Sequence, residues 1–412
     1  MNFELFIAQR LIRGSASKSS ISAPITKIAI SAIAIGVIMM LIAFATGLGL
    51  QEQIREKIAA FNGHITVVSY SSNETQVSLI PVDKDQVFYT KPDFVEGIDY
   101  IQVYANKYGI IRTETDFEGI VVKGVGSDYR WRYFEDYLTQ GRLPNFSEDE
   151  ISREIMLSEY LANRLHFEVG DKMIVYFLED EASKVPRSIG FDIVGIYNSG
   201  FQEFDKTFLI ADLKQIQRIN RWDANQVGGF EVFVNDFSEI EKVSDRVYEA
   251  VGSYLTSYSI IEQYPSIFDW LSLLDMNIYL IIGIMILVGG INMITALLVL
   301  ILERTPMIGI LKSIGAKDKS IRKIFLYNAG FLMLRGMFWG NLIGLTLLLI
   351  QKYGKVIPLN PETYYVTEAP IYLSWSYFLV VNILTAFICI LMLILPTLII
   401  KKITPVKAMR FD

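Results

Sequence analysis

The 412-residue sequence has one cysteine, Cys389, and two histidines, His64 and His166. A single thiol excludes an intrachain disulfide. The two imidazoles stand about a hundred residues apart, and neither has another Cys or His at metal-ligand spacing, so no metal site is expected. A phosphate-cradling G-x-x-x-x-G-K-[ST] motif is missing as well. The glycine clusters at 47–49, 124–126 and 289–290 lack the Lys and Ser or Thr that such a loop needs. The chain is therefore expected to carry no cofactor of its own and to bind neither ATP nor magnesium. No Ser-His-Asp, Cys-His or paired-carboxylate pattern emerges from its scattered acidic residues, which points to a non-catalytic role. Excess positive charge is also lacking: a net charge of −6 gives no sign of a nucleic-acid partner.

What the chain does have is apolar length. Hydrophobic residues make up 52% of it, more than an ordinary soluble protein of this size carries. Crossing the hydrocarbon core takes roughly 20 apolar residues in a helix, whose backbone satisfies its own hydrogen bonds. Four runs qualify: 28–50, 276–302, 324–350 and 371–400, of which only the third contains a charge, Arg335. The first is too long for a signal-peptide core and no small-residue cleavage site follows it, so a retained anchor is expected.

Lys and Arg beside the spans set the orientation. Residues 1–27, an amphipathic segment, hold Arg10, Arg13, Lys18 and Lys27 against Glu4. Residues 303–323 hold six basic residues against two acidic, and the tail 401–412 adds Lys401, Lys402, Lys407 and Arg410 against Asp412. These three segments are expected in the cytoplasm, with 351–370 a short outer loop. The segment 51–275 carries 21 basic and 38 acidic residues and is placed outside.

That segment is long enough for one or two compact domains. Alternating or β-branched runs predict strands at 64–70, 101–112, 117–125, 173–178, 191–197, 207–210 and 230–234, with helices at 158–165, 212–219 and 237–254. The fold class is thus a membrane protein with four transmembrane α-helices and one large α+β extracytoplasmic domain. Residues 51–60 read as an amphipathic continuation of the first span. The polar tip EDEASKVPRS, with Glu179, Asp180, Glu181, Lys184, Pro186 and Arg187, reads either as a solvated loop or as a contact for a soluble partner.

Between the second and third spans stands ERTPMIGILKSIGA, Glu303 to Ala316. Pro306 suits the first turn of a short helix, Gly315 suits its end, and Ile308, Leu311 and Ile314 form an apolar strip. Physics alone leaves two readings, a lipid-surface helix and a helix that docks on a cytoplasmic protein. The segment resembles the coupling-helix signature of FtsX-like ABC transporter permeases, E-R-x-x-E-I-G-I-L-R-A-x-G-A. The matching positions are Glu303, Arg304, Ile308, Gly309, Ile310, Leu311, Gly315 and Ala316, with Lys312 for the usual arginine and Met307 where an acidic residue is usual. Pro405, Ala408, Met409 and Arg410 resemble the family's terminal P-x-x-A-L-R. FIAQR at 6–10, GHITV at 63–67, the L-x-x-x-L-x-x-x-x-G-D run at 161–171 and GGFEVFVND at 228–236 resemble the lipoprotein-releasing LolC and LolE branch.

The resemblance implies a MacB-like core domain outside the membrane. It also implies a coupling helix that receives a cytoplasmic ABC ATPase, and pairing with a second permease subunit, identical or not. The implied cargo is an outer-membrane lipoprotein, passed to a periplasmic carrier from the inner membrane. Inside the bilayer, Gly336, Gly340 and Gly344 form G-x-x-x-G-x-x-x-G, a face for close helix approach, with span four as the expected neighbour. Arg335, costly at mid-span, calls for a partner, a polar cavity or snorkelling. Met39, Met40, Phe44, Leu48, Met276, Ile281 and Ile284 offer a flexible apolar surface, which reads as ordinary lipid-facing or packing side chains or, by the resemblance, as a candidate wall for acyl chains. Two other functions stay open: peptide, toxin or drug efflux by the same mechanics, and regulation of a cell-envelope hydrolase without transport.

Overall fold

The computed structural model describes residues 3–14, 22–72, 77–91, 95–113, 116–177 and 186–402. The tip residues Glu179, Asp180, Glu181 and Lys184 and the terminal Pro405, Ala408, Met409 and Arg410 lie outside them, whereas Pro186 and Arg187 lie inside. The chain divides into a helical unit, Met1–Gln51 with Trp270–Pro358 and Glu368–Asp412, and a sheet unit, Glu52–Asp269 with Leu359–Thr367.

Among the described residues, four helices are long and apolar enough to cross a membrane. They run over Ser22–Asn62, Pro265–Glu303, Asp318–Gly354 and Trp375–Thr397, the last continued by a 3-10 turn at Leu398–Lys402. The first has 41 residues, about 60 Å at 1.5 Å per residue, twice the roughly 30 Å of a hydrocarbon core. Its last turns, from Glu52 on, belong to the sheet unit. A separate helix, Phe3–Gly14, precedes it, and Ser320 Oγ on span three donates to Glu4 Oε1 of that helix at 3.1 Å.

The strands of the sheet unit are β1 (Ile65–Ser69), β2 (Val82–Asp83), β3 (Ile98–Arg112), β4 (Phe117–Val125), β5 (Leu138–Gly141), β6 (Glu154–Ser158), β7 (Lys172–Phe177), β8 (Arg187–Tyr197), β9 (Phe208–Asp212), β10 (Gln226–Val227), β11 (Gly229–Val234) and β12 (Leu255–Ser259). Among the described residues, ten form one sheet in the order β12-β1-β11-β3-β4-β9-β6-β8-β5, and β7 pairs with both β3 and β8. The pairings β3-β4-β9-β6-β8-β7 therefore return to β3, a ring in which the β3–β7 and β6–β9 contacts span two residue pairs each. The pairs β4–β9 and β6–β8 are parallel.

All seven predicted strands are present, β4 with the predicted ends and the others with shifted ones, but β2, β5, β6, β10 and β12 were not foreseen. The predicted helix 237–254 is a 3-10 turn at Phe237–Glu239 followed by a helix that stops at Ala250. Gly252, at φ +77, turns the chain back so that Leu255 can enter β12.

The first long helix ends inside the sheet unit's core. Phe61 is 1% exposed and touches Phe134, Phe204 and Phe208 at centroid distances of 5.2, 4.8 and 5.6 Å. Gly63, at φ +66, closes the helix, and its N–H donates to Ala59 O at 2.8 Å. The carbonyls of a last turn have no intrahelical donor. Here Tyr129 Oη donates to Ala60 O at 3.2 Å, and the Lys123 ammonium donates to Phe61 O. Lys123 is fully buried and paired with Glu231, whose second oxygen accepts from Gln102 Nε2 at 2.8 Å. Burial pulls Lys123 below its ordinary pKa and pushes Glu231 above its own, so each needs the other to stay charged.

The segment Leu359–Thr367 packs onto the same unit. Lys57 Nζ donates to Tyr365 O at 3.2 Å, and the Tyr365 ring stacks on Phe201 at 4.9 Å. Asp205 N donates to Phe201 O at 2.9 Å, and the buried Asp205 carboxylate accepts from Ser199 Oγ at 2.6 Å and from Gly200 N at 3.1 Å. Burial pushes Asp205 up to about 6, against the pull of those donors and of Lys57.

Two predictions follow from these buried charges. Lys123→Met or Glu231→Leu alone strands the remaining charge and should cost about 3–5 kcal/mol, while the double substitution should recover part of it, the Phe61 carbonyl and Gln102 amide staying without their partners. Thermal unfolding of the full chain checks this, and equal losses for single and double variants would contradict it. For Asp205, the native carboxyl takes its proton near pH 6 and the unfolded one near 3.8. Native protein thus binds the extra proton in that window, and its contribution is full below pH 3.8 and lost as pH rises through 6. The midpoint of wild type relative to Asp205→Asn should accordingly fall as pH goes from 4 to 6.5, and a flat difference would refute the assignment.

Candidate functional site

The short helix between spans two and three covers Thr305–Ser313. Span two stops at Glu303 because Pro306, in the first turn of the new helix, brings no N–H and clashes with continuation. Thr305 Oγ1 donates back to Leu302 O at 2.7 Å. At the other end Gly315 has φ +93, its N–H donates to Lys312 O at 3.1 Å, and Ala316 N donates to Leu311 O at 2.9 Å. These two bonds make a complete Schellman motif, with Gly315 at the left-handed position.

Ile308, 0% exposed, enters the helical unit's core, with Met307, Leu311 and Ala316 packed around it, and Gly309 is buried. Lys312 pins the helix twice: Nζ donates to Ile400 O at 2.8 Å and pairs with Asp318 Oδ1 at 2.9 Å. Helix end, start of span three and end of span four thus meet at one ammonium. Glu303 is exposed and Arg304 half-buried. The predicted apolar strip is corrected in one respect: Ile314 is 73% exposed and belongs to the opposite face with Ile310, 55% exposed. Four residues apart, these two isoleucines form an outward apolar ridge, which the sequence reading missed. Their spacing was the available signal.

The glycine face of span three is buried, but against span one rather than span four. A Cβ on Gly336 would lie 2.7 Å from Ile33 Cβ, one on Gly340 2.8 Å from Val37 Cβ and 2.9 Å from Ala34 O, and one on Gly344 3.1 Å from Leu41 Cδ1. Span four is held elsewhere: Asn341 and Asn382 exchange amide hydrogen bonds of 2.6 and 3.0 Å. Two asparagines in otherwise apolar spans were the overlooked signal for this pair. Arg335 is exposed on span three and has no ion pair among the described residues.

The candidate acyl-chain wall does not form one surface. Met40, 2% exposed, lies in the bundle core against Thr385 of span four. Phe44 and Leu48 line a cavity of about 200 Å³ with Leu345 and Leu348 of span three and Tyr372 to Val381 leading into span four. Met39, Met276 and Ile284 are 41, 61 and 49% exposed, and Ile281 is half-buried. Adjacent residues such as Met39 and Met40 point about 100° apart on a helix and cannot share one wall. At the tip, Arg187 opens β8 and its Nη1 donates to Arg218 O at 3.2 Å.

The chain thus combines a four-span bundle, a short helix pinned to it, and a large sheet unit inserted in sequence between spans one and two. Two family models match the chain: the MacB-like periplasmic core domain over residues 26–250 and the FtsX-like permease C-terminal over 279–405. The chain belongs to this family and is an ABC permease. Among curated proteins it is similar to the lipoprotein-releasing system transmembrane protein LolC of Xylella fastidiosa, 22% identical over 402 residues and covering 94% of both chains. It is 21% identical to LolC of Neisseria meningitidis, covering all of both, and 20% identical to LolE of Haemophilus influenzae, covering 99% of both. Among solved structures, the periplasmic region of MacB from Actinobacillus actinomycetemcomitans aligns with a TM-score of 0.32 at 15% identity, over 49% of this chain and 91% of that one. The spans and the periplasmic-domain match fit an inner-membrane protein.

The glycine face yields a prediction. Gly340→Val should force spans one and three apart and cost about 1–3 kcal/mol. Gly330→Val, at a position with open space around it, should leave the thermal midpoint in detergent nearly unchanged. Equal effects from the two would show that the face does not carry the packing.

Proposed function

We propose that this chain is a permease subunit of an ABC transporter that extracts outer-membrane lipoproteins from the inner membrane and hands them to a periplasmic carrier. The observation that carries this reading is end-to-end similarity to lipoprotein-releasing LolC and LolE proteins, extending over both the sheet unit and the helical unit. The mechanics suit it. The helix Thr305–Ser313 is clamped to spans two, three and four on one side and offers Ile310 and Ile314 on the other. A cytoplasmic ATPase would dock on that ridge, bind ATP and magnesium itself, and move the spans through Lys312. Met39, Met276 and Ile284, the exposed members of the candidate wall, would face the acyl chains or a second permease subunit, identical or different. Termini and the short helix would lie in the cytoplasm, the sheet unit in the periplasm. The tip around Pro186 and Arg187 would serve the carrier.

Depletion of the protein in its own cells should leave lipoproteins in the inner membrane, and normal release on depletion would refute the cargo. Ile310→Asp with Ile314→Asp should abolish copurification of an ATPase while leaving the chain inserted, and an unchanged yield of ATPase would refute the docking ridge. Stimulation of the complex's ATPase by lipoprotein, with none by a peptide or drug, separates this reading from general efflux and from a regulator that transports nothing.

A further inference from the structure

The sheet unit contains a cavity of about 470 Å³ beside the end of the first long helix, within the roughly 300–1,000 Å³ typical of ligand sites. It opens between Asn62, at that helix's end, and Tyr264, the residue before the second long helix begins at Pro265. Its lining is acidic and aromatic. Glu231 and Glu262 contribute carboxylates, Tyr104, Tyr258 and Tyr264 contribute rings, and none of the described lining residues is basic. Asn106, also in the lining, is 8% exposed, and its carboxamide oxygen has no hydrogen-bond partner among the described residues. A buried acceptor without a donor costs about 1–3 kcal/mol, and in a native fold such an atom calls for an explanation.

The occupied groups narrow the chemistry. Both Glu231 oxygens are taken by Lys123 and Gln102, so that carboxylate supplies field and spare lone pairs rather than a free charge. Glu262, an exposed residue, accepts from Ser259 N at 2.7 Å and Ser259 Oγ at 3.0 Å in a capping box, and has no ion pair among the described residues. The Lys123 ammonium also lies 5.3 Å from the Tyr104 ring centroid, so a guest that suits the rest of the lining brings N–H donors and positive charge to Glu262, to the Asn106 oxygen and to the rings of Tyr258 and Tyr264.

We propose that this cavity binds an organic cation, an alkylammonium or guanidinium group. The group comes either from a free amine or from a Lys or Arg side chain of a protein segment. Bound there, it completes Asn106 and joins the end of the first long helix to the residues that start the second. The site is independent of the cargo assigned above and stands whether or not that assignment holds.

The test uses the full chain in detergent micelles and saturation-transfer NMR. The probes are propylammonium and acetyl-Gly-Lys-Gly-amide, with glycerol and acetate as neutral and anionic controls. Saturable binding of both amines and of neither control is expected. Asn106→Leu and Glu262→Gln should each weaken binding by about tenfold or more. Tighter binding of the peptide assigns the cation to a protein segment, and equal binding assigns it to a free amine. Glu262→Gln retains the capping-box geometry, so it reads out the charge even where Asn106→Leu disturbs the fold. Binding of glycerol or acetate but not the amines, no saturable binding by any probe, or amine binding that survives Glu262→Gln would overturn the proposal.

Discussion

The architecture depends on how one helix ends. A helix that continues out of hydrocarbon into a protein core must satisfy its last carbonyls there, where water cannot. Lys123 does this at Phe61, and a buried ammonium requires a carboxylate in turn, which Glu231 supplies. The two residues, with Gln102, come from β4, β11 and β3, three neighbouring strands, and Gln102 and Glu231 are direct cross-strand partners. A one-residue slip of any of these strands would turn its member to the opposite face. Helix termination and sheet register are thus one constraint. Gly63 belongs to it as well, since a Cβ there would lie 2.9 Å from Glu231 Cβ.

The same helix organises the bundle at its other end. Its Ile33, Val37 and Leu41 meet the glycine face of span three, Met40 meets Thr385 of span four, and Gly47 lies under Ile278 of span two. In lipid no hydrophobic effect drives helices together, so close approach over small residues and a few polar contacts must suffice. Gln51 Nε2 to Asp275 Oδ1 at 2.8 Å and the Asn341–Asn382 pair are such contacts. Span one is therefore the common member of the bundle and the same element whose end is capped in the sheet unit.

How much of this was legible in the sequence follows from what each signal measures. Uncharged length reveals a span directly, so four helices were readable, as was the large insertion between the first two. Turn chemistry was equally informative: Pro306 and Gly315 bracket the short helix because both act through their own backbone. Hydropathy carries no partner identity, however, so the glycine face of span three was visible while its neighbour was not. Strand order was out of reach for the same reason, since β7 closes the ring through pairings with β3 and β8 that no local pattern encodes. Short buried strands such as β6 and β12 lack the length that makes alternation recognisable. Among site residues, the candidate acyl-chain wall was chosen by composition and membrane depth, without angular position on the helix, so its members lie on different faces.

Angular position is also what gives the short helix its meaning. A purely lipid-surface helix needs one apolar face, turned to the membrane, and a polar face turned to water. This helix buries Ile308 and part of Leu311 in the bundle and holds its place through Lys312. Ile310 and Ile314 on the far side then find neither the core nor a polar role. Exposed apolar residues scattered singly need no explanation, but two in helical register on a pinned element form a ridge that water disfavours. Because Lys312 fixes that element to the starts and ends of the neighbouring spans, whatever covers the ridge can pull on three helices at once.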